Sequence, residues 1–138
     1  MFEIIIDVQN YFGNKETFIV SDEIRSGLII HEKGDFNDTE EVDRKTISKA
    51  DFDNIVKAFS EVNFTEVFNE HEDLVGLDGW ILTCTIKKGT VKISAQVWCP
   101  DKNESMPETT KLLEACELVC PVLELEEGLE VPNETKNL

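Results

Sequence analysis

The residues able to do chemistry are few, and their spacing serves none of the common chemistries. Cysteines stand at 84, 99, 116 and 120, and histidines at 31 and 71. A zinc site needs four nitrogen or sulfur ligands converging on one point. Here it would have to take Cys116 and Cys120 from one helix face and add Cys84 and Cys99, yet Pro121 ends that helix directly after Cys120. The spacings also make a poor disulfide framework. Four reduced, mostly buried thiols behaving as small apolar side chains are expected. Neither His31 nor His71 has a nucleophile or base beside it in sequence. Glu70-His71-Glu72-Asp73 could hold a divalent cation, but its spacing matches no EF-hand loop. No GxGxxG, Walker A, GxSxG or HExxH motif occurs. The expectation is no catalytic residue, no metal, no cofactor and no enzyme activity.

What remains is charge. The chain has 29 Asp plus Glu against 13 Lys plus Arg in 138 residues, a formal net charge of −16. Such a chain gains nothing by approaching phosphates, so a nucleic-acid partner is not expected. An anionic membrane surface is disfavoured for the same reason. No run of 18 apolar residues exists, and Met1-Phe2-Glu3 lacks the basic start of a signal peptide, so the expected location is cytoplasmic. Hydrophobic residues make up 41% of the chain, enough to build a core.

The acids are unevenly placed. Between Lys57 and Lys87 there is no Lys or Arg, but there are Glu61, Glu66, Glu70, Glu72, Asp73 and Asp78. Between Lys111 and Lys136 the same holds, with seven Glu, from Glu114 to Glu134. Asp35, Asp38, Glu40, Glu41 and Asp43 form a third group before Arg44 and Lys45 interrupt it. Such an excess destabilises the compact state by self-repulsion. Two explanations stand level on charge alone: solubility, and a basic partner steered in by the field.

The elements that must position these groups follow from periodicity. Phe2 to Val8 is β-rich, Gly13-Asn14 signals a turn, and Thr17 to Val20 can pair back as a hairpin. Gly27 to His31 is another apolar run, and Asp35 to Arg44 is polar and reads as a loop. Ser48 caps a helix over about 49–62, with Asp51 favoured at its positive end and Ile47 and Phe52 as a hydrophobic staple. Phe52, Ile55, Val56, Phe59 and Val62 share one face of it.

A hairpin spans Trp80 to Trp98. Folding it at Lys88-Gly89 pairs Ile86 with Val91, Cys84 with Ile93, Leu82 with Ala95 and Trp80 with Val97. Trp98 then falls on the polar face, near Ile81. A helix over about 107–119 starts at Pro107, a residue suited to the first helical position, and carries Leu112, Leu113, Cys116 and Val119 as its stripe. Val122 to Leu125 can add a short strand. The pattern predicts one α+β domain over 1–131: an antiparallel sheet with a central hairpin and two helices on one face. Residues 132–138 are expected to fray.

Leu77-Asp78-Gly79-Trp80, a two-stranded stretch, Trp98-Cys99-Pro100-Asp101 and a leucine-rich helix together resemble a pattern of small bacterial proteins. Some of these are immunity proteins of polymorphic-toxin and contact-dependent growth inhibition systems. The likeness covers about a third of the chain. It implies a non-enzymatic inhibitor whose partner is a cognate toxin domain, often a nuclease with a basic cleft. On this reading the partner-binding residues are Asp35, Asp38, Glu40, Glu41 and Asp43, then Glu70, Glu72, Asp73 and Asp78, with Trp98 as an anchor. The alternatives are an acidic cytosolic adaptor without a toxin partner, and an enzyme or metal-binding protein whose Cys, His and acids converge.

Overall fold

The alternation of Ile4, Ile6 and Val8 with polar or half-buried neighbours makes the first strand the hub of the molecule. In the computed structural model, which describes residues 2–10, 13–35, 37–70, 80–98 and 105–120, the strands β1 (Phe2–Asn10), β2 (Asn14–Glu23), β3 (Ser26–Asp35) and β4 (Thr39–Ser48) form a meander. The hairpin of β5 (Trp80–Lys88) and β6 (Val91–Trp98) joins on the other side of β1. The sheet order is β4-β3-β2-β1-β5-β6, and every neighbouring pair is antiparallel. The helices α1 (Lys49–Ser60), α2 (Phe64–Glu70) and α3 (Pro107–Glu117) complete the described elements. The fold class is therefore α+β. No helix among the described residues is long and apolar enough to cross a membrane.

One face of the sheet is the core. Ile4, Ile6 and Val8 lie opposite Val20, Phe18 and Glu16 on β2, and opposite Ile86, Cys84 and Leu82 on β5. These side chains meet Phe52, Ile55 and Phe59 of α1, Val67 of α2, and Leu112, Leu113 and Cys116 of α3 in one buried cluster. The helix stripes therefore face the sheet from the same side, as expected. Ser48 does cap α1, accepting the Asp51 amide at 3.0 Å. Residues 28, 30, 19, 5, 85 and 94 point the other way.

Four expectations need correction. The segment from Asp35 to Arg44 is not a loop; it contains the end of β3 and much of β4. β4 is an edge strand exposed along most of its length, so it lacks the apolar alternation that marks a half-buried strand. The 80–98 hairpin is not central: β6 is the opposite edge.

Its register also differs by two residues. The turn is Gly89-Thr90, with Ile86 opposite Ile93, Cys84 opposite Ala95 and Leu82 opposite Val97. A two-residue displacement keeps every side chain on its face, so alternation cannot distinguish the two registers. Turn chemistry decides. Gly89, at φ 61°, takes the first central position, where a II′ hairpin turn prefers glycine. Finally, α2 is an additional short helix capped by Asn63, whose Oδ1 accepts the Glu66 amide at 3.1 Å. The expected strand at Val122–Leu125, the tail at 132–138 and Cys99 lie outside the described residues.

Candidate functional site

The five acids of the 35–43 segment share one hairpin but have different roles. Asp35 shapes the turn: its Oδ1 accepts the amides of Asn37 and Asp38 at 2.9 and 3.0 Å, and its own amide donates to the Asp38 carbonyl at 2.9 Å. Asp38 and Glu40 are exposed, and no ion pair engages either among the described residues.

Beyond them the ladder slips. His31 pairs with Asp43 but Glu32 with Glu41, so Val42 is an extra residue on β4. That bulge brings Glu41 and Arg44 onto one face, where Nη2 meets Oε1 at 2.7 Å. The hydrogen bond from Arg44 holds the Glu41 carboxyl below the usual carboxylate range. Asp43 falls on the helix side instead.

There Asp43 rims a cavity of about 300 Å³ between β3, β4, the first turns of α1 and the end of α3. Phe18, Ile47 and Ile55 form its buried floor, and Leu118 and Val119 close one side. Its polar lining is His31, Asp43, Lys45, Asp51 and Asn54. Asp51, Asn54 and Ile55 reach it together because i, i+3 and i+4 share a helix face.

Within the lining, His31 stacks on Phe18, with ring centroids 4.2 Å apart and planes 12° apart. Its Nε2 lies 2.8 Å from Oε1 of Glu16, a carboxylate only 6% exposed. A hydrogen on Nε2 would let the imidazole donate to that oxygen. Lys33 Nζ approaches the same oxygen at 3.6 Å. A buried charge needs such partners. Sequence spacing gave no sign of His31 as a site residue, because Glu16 and His31 become neighbours only across the β2–β3 ladder.

The second expected group has another job. Glu70, at the end of α2, accepts the Glu108 amide on Oε2 at 2.9 Å, and on Oε1 the Thr109 amide at 2.8 Å and the Thr109 hydroxyl at 2.6 Å. It thus caps α3, whose own N-cap residue, Met106, makes no side-chain cap bond. Burial pushes the Glu70 carboxyl up, but these three hydrogen bonds outweigh it and hold the carboxyl below its ordinary value. Glu108 returns the contact, accepting the Asn63 amide at 2.9 Å. Glu72, Asp73 and Asp78 lie outside the described residues.

Trp98 is half-buried on the face away from the helices, opposite Ile81. It stands on β6, the edge farthest from β4. Five inter-strand steps of about 4.8 Å put roughly 24 Å between them, so Trp98 and the β3–β4 acids do not form one patch. The thiols of Cys84, Cys116 and Cys120 are free and buried. Cys116 is pushed well up by its hydrogen bond with Cys84 and by burial. Among the described residues no three His, Cys, Asp or Glu side chains gather as a metal site.

No protein-family model, curated protein or solved structure matches the chain.

Proposed function

We propose that this chain is an immunity protein that binds a cognate toxin domain one to one and occludes its active site or basic cleft. The observation that carries the reading is the β3–β4 hairpin. It presents Asp38 in its turn and Glu40 and Asp43 on the exposed edge strand β4, with no ion pair to any of the three among the described residues. Carboxylates held this way can take the positions of substrate phosphates and accept from the Lys and Arg side chains of a nuclease cleft. The net charge of −16 steers a basic domain toward them. On this reading the chain acts in the cytoplasm, without cofactor or catalysis.

The runner-up is an acidic adaptor domain with no toxin partner. It is favoured by the dispersal of the other acids, since Glu70, Glu108 and Glu16 serve the fold itself. Co-expression separates the two. The C-terminal domain encoded by the gene immediately upstream should arrest growth alone and be harmless with this chain present. A domain that is harmless alone, or that still kills beside this chain, defeats the immunity reading.

A further inference from the structure

We infer that the cavity beside β4 is a receptor for one arginine side chain of a basic protein partner. The biological source of that arginine rests on the function proposed above; the chemistry of the pocket does not. Three features select a guanidinium.

The space comes first. About 300 Å³ lies open between Phe18 and Ile55 below and Leu118 beside, and Leu118 is 55% exposed with nothing from the described elements over it. An apolar floor under a polar rim suits a side chain with a methylene stem and a charged head.

The second feature is the stack. Phe18 and His31 lie parallel beside the cavity, and a planar, weakly hydrated guanidinium packs on such ring systems better than a compact ammonium does.

The third is charge. Asp43 and Asp51 approach the rim from different elements, β4 and α1, and Asn54 adds an amide oxygen one helical turn from Asp51. Two carboxylates from different elements offer acceptors that the five donors of one arginine can share. The Glu16 carboxylate behind His31 adds negative potential that Lys33 offsets only from 3.6 Å. Lys45 is the opposing group. It lines the same cavity and makes no ion pair among the described residues, so it competes with an incoming cation for Asp43 and Asp51.

The probe is a pair of blocked amino acids, N-acetyl-arginine amide and N-acetyl-lysine amide, titrated into the full chain and followed by amide chemical shifts. So few atoms on an open site should bind in the millimolar range. The arginine compound should saturate shifts at 43, 45, 51 and 54 and bind several-fold more tightly than the lysine compound. Asn54→Trp fills the cavity and should abolish those shifts. Lys45→Gln should tighten binding several-fold, and Asp43→Asn should weaken it by a similar factor. Both of these variants are conservative at exposed positions, so they serve even if Asn54→Trp disturbs α1.

Equal binding of the two compounds, shifts spread over all acidic segments, or indifference to Asn54→Trp and Lys45→Gln would overturn the assignment. The outcome is separable from the toxin-binding proposal. A toxin domain that binds while the arginine probe does not removes only the pocket; the reverse result removes only the toxin.

Discussion

Glu70 lies in the longest stretch without a basic residue before the 80–98 hairpin, yet its partners are the first amides of a helix. Replacing it with Ala removes the oxygens to which the Glu108 amide and the amide and hydroxyl of Thr109 donate. Thr109 is fully buried, so water cannot take over there at little cost. Loss of an N-terminal cap costs about 0.5–2 kcal/mol, and a hydrogen bond to a charged group contributes about 1.5–3 kcal/mol. Because Glu70 is itself half-buried, the low end of the combined range applies, and Glu70→Ala should destabilise the fold by about 2 kcal/mol. Glu70→Gln keeps one oxygen acceptor and should cost about half as much.

Urea denaturation followed by circular dichroism measures this as a lower midpoint at unchanged m. The pH dependence fixes the cause. The folded-state carboxyl of Glu70 ionises below its unfolded value. Its contribution is therefore present above about pH 4.3 and disappears as the pH falls through the folded value. The gap between wild type and Glu70→Ala should be full at neutral pH and narrow in acid. A loss under about 0.5 kcal/mol, the scale of an unremarkable surface substitution, or a gap that does not change with pH, would refute the capping argument.

Two other perturbations test the fold around the candidate site. A Cβ at Gly34 would collide with the Asp38 carbonyl oxygen and come within 2.7 Å of the Thr39 Cα. Gly34→Ala should therefore cost at least about 1–3 kcal/mol and shift the amide resonances of the β3–β4 tip; an unchanged denaturation midpoint would contradict the tight hairpin. The buried thiols offer a second check. Burial and the Glu117 charge push Cys120 up, and Cys84 with burial does the same to Cys116. In native buffer a maleimide should leave Cys84, Cys116 and Cys120 unmodified, with labelling only after unfolding. Peptide mapping that finds any of the three modified at once would show the α3–β5 contact to be open.

Helix α1 was legible because its cap, staple and apolar stripe agree with one another and with the tertiary structure. The β5–β6 hairpin was legible because its alternation reports one buried face, and β1 and β2 showed as β-rich runs able to pair; β3 showed only as a short apolar run. β4 was not legible, because an exposed edge strand has no buried face to report. The hairpin register failed at a different level: alternation defines parity, and only the turn selects between registers of equal parity.

Much of the candidate site was hidden in the same way. Asp43 could be named from composition, but its separation from Glu41 depends on a bulge at Val42 that no local pattern announces. The cavity joins Phe18, Asp43, Asn54 and Leu118, whose proximity is purely tertiary. Glu70 was visible as a charge, while its acceptor role depended on a helix more than thirty residues further along.

The central claim is that the exposed acids of the β3–β4 hairpin engage a basic toxin domain. Its most direct test is the affinity of this chain for the C-terminal domain encoded by the upstream gene, compared with a folded Asp38→Lys, Glu40→Lys, Asp43→Lys variant by calorimetry at low and at physiological salt. The account predicts one-to-one binding by the wild type, weakened by salt and lost in the triple variant. Undiminished binding by that variant, or affinity indifferent to salt, would contradict it.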